Sequence, residues 1–591
     1  MALKRNVVDF ETDAILPRPD YPPKPVGVAI TFEGKKKYYA WGHPDGNNCT
    51  KREAEKVLRE VYRQAKEIPV VFHNAKFDME VAHVHFGLPM LEQHQFEDTM
   101  ILAFLHDPRD TTFALKLLAR QYLGMDPLEQ DAVRDWIIAN VPHATEKNYG
   151  EHIAKAPGKL VGKYAIGDVD RTGKLFRYFY PYVKENDMLD AYRVEKELVP
   201  VVIDMEKKGV PIDVKLLQQD YDKAIAAREK LERSIRKKLG TGKLQGPALA
   251  KALEERNLVS EFELTEKGNK RTSRESLSKV CTDKHLASTL DKFGRYNKLI
   301  STYMEPWLLS ACRNNGYFFP WFSSTPSDGR GGTKTGRFSS NFQQVPKEPE
   351  DKTLPFMRDY VIADSGQMLY DRDFSQQEIR ILAHFENGEL MDMYIADPDL
   401  DIHFVVGEII KRISTKEYPR AHIKIVNFGV VYGSGAPSTA ERVGCSIEEA
   451  RELLNYHAQA IPGLARLKRG IKMIARKKEP IITIGGRVYY EEVPGPKGEN
   501  KAYKLLNTLI QGSAADHTKQ AMLRIKPVLD HYSGRFILTV HDEFLISAPK
   551  TPKVKIMTDI RDAMNFDLFK VPMLSDGKWG LSWGGLIKCR Y

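Results

Sequence analysis

Apolar residues follow two periods along this chain. VVDFETDA (7–14) and VGVAITFEG (26–34) are short apolar runs of strand length, whereas KREAEKVLREVYRQAKE (51–67) repeats its apolar residues at helical spacing. IPVVFHNAKFD (68–78) predicts a strand running into a loop. The first stretch therefore reads as α/β. From about 186 to 310 the pattern is strongly helical. Residues 313–346 turn to aromatic, Gly, Pro and Ser, and helical and strand patterns then alternate to the end. Boundaries are expected near 186 and 315.

Three later segments place chemistry on predicted elements. QMLYDRDFSQQEIRILAHF (367–385) reads as a strand, an acid and a helix, with Asp373 near the junction. GRFILTVHDEFLISA (534–548) predicts a hairpin whose apolar runs flank His541, Asp542 and Glu543. RAHIKIVNFGVVYG (420–433) predicts a helix with Ile423, Val426 and Val430 facing a core. On it Arg420, Lys424, Phe428 and Tyr432 recur at every fourth position. Four residues turn about 400° and rise about 6 Å, so these side chains form one slowly drifting stripe. Cations lead and rings follow, which suits a ligand that is anionic at one end and planar at the other, such as a nucleotide. An amphipathic helix with two solvated charges and two core rings has the same pattern.

Composition narrows the classes. The length of 591 residues suggests about four domains, and 42% hydrophobic with 28% charged residues excludes a disordered chain. Cysteines at 49, 281, 312, 445 and 589 lack CxxC spacing, so neither zinc nor a disulfide framework is expected. MALKRNVVDFETD reaches carboxylates too soon for a signal peptide, and no apolar run approaches the roughly 20 residues of a membrane span. A reducing, intracellular location follows, with no membrane partner. The net charge of +10 and pI of about 9.0 weakly favour an anionic partner such as nucleic acid. REKLERSIRKKL (228–239) sets six cations against two acids ahead of GTGKLQGP (240–247), which suits phosphate contacts and a solvated helix about equally. DGRGGTKTGR (328–337) is no P-loop, because Thr333 precedes Lys334.

Asp9 and Glu11 lie two apart on a strand and share a face. Asn74 and Asp78 follow in FHNAKFD, Tyr164 and Asp168 in YAIGD, and Asp98 in FEDTM is a further candidate. Hard divalent cations take such oxygen ligands, and two of them about 4 Å apart activate water against a phosphodiester. Four surface acids would be the bland alternative. The order D-x-E, N-x-x-F-D, Y-x-x-x-D resembles the DEDD-type 3′→5′ proofreading exonucleases, which have a ribonuclease H-like fold. The resemblance implies metal ligation by Asp9, Glu11, Asp78 and Asp168, with Tyr164 positioning the attacking water.

Asp373-Phe374-Ser375-Gln376-x-Glu378-Ile379-Arg380 resembles motif A of the DNA polymerase I family (family A). The 420–433 stretch resembles its motif B and VHDE its motif C. TGRFSS (335–340), NFQQVP (341–346), DIH (401–403), NTLIQGSAAD (507–516), KLISTY (298–303) and MEKKGVPID (205–213) follow the family's order over nearly the whole chain. The resemblance implies that Arg420, Lys424 and His403 hold the triphosphate of a dNTP. Phe428 would pack on sugar and base, Tyr432 would sit by the templating position, and Glu378 would exclude a ribose 2′-hydroxyl. Arg337, Asn341, Gln343, Gln376, Asn507, Gln511, His541 and Glu543 would serve substrate, primer and template near the growing end. Asp373 and Asp542 would hold two Mg²⁺ ions and the exonuclease set two more, with Mn²⁺ as an alternative.

The expected architecture is α/β and α+β multidomain: a ribonuclease H-like exonuclease domain (1–185), then a right hand of thumb (190–315), palm (316–384 and 505–591) and fingers (385–504). Partners would be primer–template DNA and dNTPs, the chain monomeric, and the setting a phage replicative enzyme in host cytoplasm. Phe374 and His422 depart from common family residues, and Phe428 implies poor use of dideoxynucleotides. No 5′-nuclease domain is expected ahead of Asp9. A single-subunit RNA polymerase is opposed by Glu378, Glu543 and the exonuclease set. A DNA-gripping exonuclease without synthesis is opposed by Asp373, Asp542, Lys424 and Arg420, and a non-catalytic scaffold by all of these residues.

Overall fold

The computed structural model describes residues 5–240, 243–265, 267–326, 331–348, 351, 353–492, 501 and 503–591. Part of the Gly-rich break after residue 239 and part of the 328–337 segment lie outside them.

The N-terminal strands build a five-stranded sheet ordered Lys35–Ala40, Pro25–Phe32, Asn6–Thr12, Val70–Phe72, Phe96–Asp98. The first three run antiparallel and the last two join in parallel. Asn6–Thr12 is central and apolar on both sides of its acids, so Asp9 and Glu11 are delivered to one face. The FHNAKFD segment differs from expectation. Asn74 takes a left-handed backbone (φ 67°) and a helix starts at once, Ala75–Phe86, so Asp78 lies in a first helical turn and not in a loop. Asp98 binds the backbone N–H groups of Asn74, Ala75, Met100 and Ile101 at 2.7–3.4 Å, joining two helix starts.

The second sheet is antiparallel, ordered Arg535–Val540, Glu543–Pro549, Gln367–Phe374, Ser575–Gly580, Ile587–Cys589. Its central strand ends at Phe374, and the Gln377–Glu386 helix begins three residues later. Six helices from Glu389–Ala396 to Pro462–Lys477 pack around Val406, Ile410, Ile423, Val426, Val430 and Leu453. The basic 228–239 segment ends the Val214–Leu239 helix, where Arg236 pairs with Glu232 and Lys238 with Asp283.

One buried ion network ties distant parts together. Arg487, 2% exposed, pairs with Glu195 on the Leu189–Lys208 helix and with Asp516 on the Tyr503–His531 helix, and Lys519 joins at Glu195. Gly336 of TGRFSS, at φ 76°, lies against the Arg487 guanidinium, where a Cβ would stand 2.0 Å from Nη1. Arg487→Ala would leave two buried carboxylates without that cation. It is expected to lower stability by about 3–5 kcal/mol, measured by denaturant unfolding.

Candidate active sites

On the first sheet, ligand oxygens of Asp9, Glu11 and Asp168 lie within 4.8 Å of one another. Asp168 comes from the Gly158–Glu185 helix, which also presents Tyr164 one turn earlier on the same face. Asp78 accepts the Phe10 N–H at 3.0 Å, fixing its carboxyl beside the Asp9 strand. Burial first, and the Asp168 carboxylate second, push Asp9 up to about 7. Burial and then Asp9 drive Glu11 and Asp78 well above the usual range. Such repulsion is what a divalent cation relieves, so this donor set fits metal.

Lys116 completes this cluster, and no sequence motif pointed to it. From the Leu115–Leu123 helix its ammonium donates to Tyr164 Oη at 2.7 Å and to Asp168 Oδ2 at 2.9 Å, and it lies 3.9 Å from the centroid of the Tyr164 ring. Arg171 approaches the other Asp168 oxygen at 3.2 Å.

On the second sheet, Asp373 pairs in register with Glu543. His541 takes a left-handed backbone (φ 57°) in the tight turn, and Phe374 N–H bonds Asp542 C=O at 3.2 Å. Together these bring Asp542 beside the end of the central strand. Burial and the Asp373 carboxylate push Asp542 up to about 7. Asp373 Oδ1 is buried with no hydrogen-bond partner among the described residues. An orphaned carboxylate oxygen beside a second, repelled carboxyl fits a cation site.

Residues unmarked by motif surround this pair. Lys347 places its ammonium 3.2 Å from Asp373 Oδ2 and 3.7 Å from Glu543 Oε2. Asp371, two positions before Asp373 on the strand, is buried, pairs with Lys578 at 3.1 Å and is pushed up to about 8 by burial and then Glu543. Glu543 is itself buried, taking Trp583 Nε1–H at 2.8 Å and the Arg358 guanidinium at 3.3 Å. Its Oε1 thus meets protein partners, while its Oε2 shares Lys347 with Asp373.

The 420–432 stripe is real geometry. Arg420, Lys424 and Tyr432 are exposed and Phe428 is half-buried, while Ile423, Val426 and Val430 are buried. Arg420 Nε donates at 2.7 Å to Asp401, which caps the Ile402–Ser414 helix. The buried His403 ring lies 5.7 Å from that of Phe428. At the stripe's far end Tyr432 Oη donates to Glu378 Oε2 at 2.5 Å, and Arg337 pairs with the other Glu378 oxygen. Gln511 lies beside Tyr432, and His541 lies near Arg337 and Lys347. Asn507, four residues before Gln511 on the same helix, has a buried Oδ1 without a partner among the described residues.

Three expected contact residues are engaged within the protein. Gln376 bonds Leu400 C=O and Tyr394 Oη, Gln343 donates to Phe338 C=O, and Asn341 accepts from Trp321 N–H. Among the described residues no helix is long and apolar enough to cross a membrane.

Comparison with known proteins agrees with this division. Residues 8–184 match the 3′-5′ exonuclease family and 214–585 match DNA polymerase family A. The chain is 29% identical over 407 residues to DNA polymerase I of Caldicellulosiruptor bescii, covering 66% of this chain and 46% of that one. It is 26% identical over 541 residues to DNA polymerase I of Helicobacter pylori, covering 89% and 56%. It thus spans about half the length of these relatives. DNA polymerase DpoZ of Acinetobacter phage SH-Ab 15497 is 26% identical over 520 residues, covering 81% of this chain and 82% of that one. The solved polymerase domain of Pol1 from M. smegmatis, in complex with DNA primer–template and dNTP, shares the fold at TM-score 0.79 and 21% identity, covering 99% and 96%. With its polymerase match spanning more than half of the chain and an exonuclease domain ahead of it, this protein belongs to DNA polymerase family A.

Proposed function

We propose that this chain is a template-directed DNA polymerase that adds dNTPs to a primer 3′ end and excises 3′ nucleotides at a separate site. The observation that carries the reading is the Tyr432–Glu378 contact. It joins the end of the cation-and-ring stripe to the helix that starts four residues after Asp373, which links the stripe that begins at Arg420 to the neighbourhood of the acidic pair. A dNTP laid along it would set its triphosphate on Arg420, Lys424 and His403, and its sugar between Phe428 and Glu378.

Mg²⁺, or Mn²⁺ in its place, two ions at each site, would lower the pKa of the primer 3′-hydroxyl and neutralise pyrophosphate when held by Asp373 and Asp542, and would activate water when held by Asp9, Glu11, Asp78 and Asp168. The chain's own residues do the rest. Tyr164, fixed by Lys116, directs the attacking water, and Arg337, Gln511, Asn507 and His541 line the growing end. Asn341, Gln343 and Gln376 shape the backbone there, and Glu543 braces the Asp373 strand. The parts would be exonuclease (about 1–185), thumb (about 190–315), fingers (about 385–504) and a palm split between about 316–384 and 505–591. The phage relatives, matched over most of their length, support phage genome replication inside a host cell; the chain would act there as a monomer.

Glu378 tests the sugar assignment. Glu378→Ala removes the carboxylate held against the nucleotide by Tyr432 and Arg337. Discrimination against rNTPs, read as the ratio of kcat/KM for dNTP and rNTP, is expected to fall about 100-fold, the scale on which a site rejects one added hydroxyl. An unchanged ratio would remove Glu378 from the sugar site. Primer extension on a labelled duplex tests the activity as a whole.

A further inference from the structure

Three fingers helices meet at one polar chain. His403 stands on Ile402–Ser414, Asn427 on Arg420–Val431 and His457 on Ile447–Ala460. All three side chains are buried, in a core otherwise built from residues such as Val406, Val426 and Leu453. Asn427 Nδ2 lies 2.9 Å from His403 Nδ1, and Asn427 Oδ1 lies 2.7 Å from His457 Nε2.

Hydrogen-bond polarity then fixes protons. An amide nitrogen donates and an amide oxygen accepts. His403 Nδ1 must therefore be the bare, accepting nitrogen, so the ring carries its proton on Nε2 when neutral. His457 must carry a proton on Nε2 to give to Asn427. The contacts on either side hold the Asn427 amide with Nδ2 toward His403 and Oδ1 toward His457, and in that orientation the amide sets the tautomer of His403. We infer that Asn427 and His457 are positioning residues that hold His403 in the neutral Nε2–H form, so that it meets the nucleotide phosphates as a fixed hydrogen-bond donor and not as a titrating cation. The inference rests on the proposal above that His403 touches the triphosphate.

The surroundings agree with a neutral ring. The charged groups facing His403 are Asp401, Arg420 and Lys424, and burial followed by Arg420 pushes it down to about 4. His457 faces Lys468, and burial followed by that lysine pushes it down to about 4 as well. Protonating His403 would also turn an N–H against the amide N–H, losing the bond inside the core. The charge for the triphosphate comes from Arg420 and Lys424, and His403 adds direction.

The test has two arms. In the full chain labelled with ¹⁵N-histidine, two-bond ¹H–¹⁵N spectra without nucleotide should show His403 as the Nε2–H tautomer throughout pH 5.5–8. The second arm is the pH profile of KM and kcat for dNTP in wild type, His457→Ala, His457→Gln and His403→Ala. His457→Ala frees the amide to turn over. His403 should then gain Nδ1–H or titrate nearer its ordinary 6.5. KM should rise about fivefold, the worth of one neutral hydrogen bond, and become pH-dependent between about 6 and 7.5, with kcat nearly unchanged. His457→Gln, whose amide can still donate to Asn427, should restore the wild-type tautomer and profile. An Nδ1–H or protonated His403 in wild type overturns the inference, as does an unaltered tautomer and KM profile in His457→Ala. If His403→Ala leaves KM unchanged, the phosphate reading fails, and the spectra still judge the fixed tautomer by itself.

Discussion

Asp542→Asn is expected to abolish primer extension, lowering kcat by at least about 10³-fold, while 3′ excision continues at the wild-type rate. The substitution keeps size and shape and removes only the charge beside Asp373. Stability separates this loss from misfolding. In wild type without metal, burial and the Asp373 carboxylate hold Asp542 up at about 7, against an ordinary value of 3.8. Between those values the folded chain binds more protons than the unfolded one, so this site's contribution to stability falls as pH rises through about 7. Asn removes that penalty. Metal-free Asp542→Asn should therefore melt at or above the wild-type temperature at pH 8, and the difference should vanish near pH 4. Inactivity with an equal or higher Tm is the signature of a lost functional charge. A large fall in Tm would instead make Asp542 a structural residue.

Asp9→Ala should produce the mirror image: excision down by at least about 10³-fold and extension unchanged. Asp9 sits at the centre of its sheet, where burial and Asp168 hold it up at about 7. Removing it relieves repulsion inside the Asp9–Glu11–Asp168 cluster and leaves the Lys116–Asp168 and Lys116–Tyr164 contacts in place. The second sheet is built from residues more than 350 positions away, and its acids should not respond. A mismatched primer end that wild type trims before extending should persist in this variant. Loss of both activities together would mean that the two sites are not independent.

The residues that sequence revealed are those whose spacing matches an element's period. Asp9 and Glu11 are two apart on a strand, Tyr164 and Asp168 four apart on a helix, and the 420–432 stripe repeats at four on a helix whose apolar positions are buried as the pattern requires. Asp78 lies in a recognisable motif, but its local structure differs from the one the pattern suggests. FHNAKFD looks like a strand dissolving into a loop, yet a left-handed Asn74 turns the chain in one residue and the helix follows directly. A single non-Gly residue in that backbone region leaves little trace in periodicity.

Other members of the sites have no local signature. Lys116 reaches Asp168 across 52 residues, Lys347 reaches Asp373 across 26, and Arg358 reaches Glu543 across 185. Such contacts are made by tertiary packing. A motif letter also says little about which partners a side chain takes. Glu543 lies in the VHDE segment expected at the substrate site, and its Oε1 is taken up by Trp583 and Arg358 while its Oε2 faces Lys347. The Asn427–His457 contact was hidden for the same reason, since it joins two helices 30 residues apart through side chains that read as core.

As proposed, one chain carries opposed chemistries at two separate acidic sites. The most direct test is a labelled primer–template with Mg²⁺, incubated with and without dNTPs, for wild type, Asp542→Asn and Asp9→Ala side by side. Wild type should extend the primer with dNTPs and shorten it without them, Asp542→Asn should only shorten it, and Asp9→Ala should only extend it. Shortening with no extension by wild type, in Mg²⁺ or Mn²⁺, would contradict the proposal and leave the second sheet as a DNA-gripping remnant beside an exonuclease.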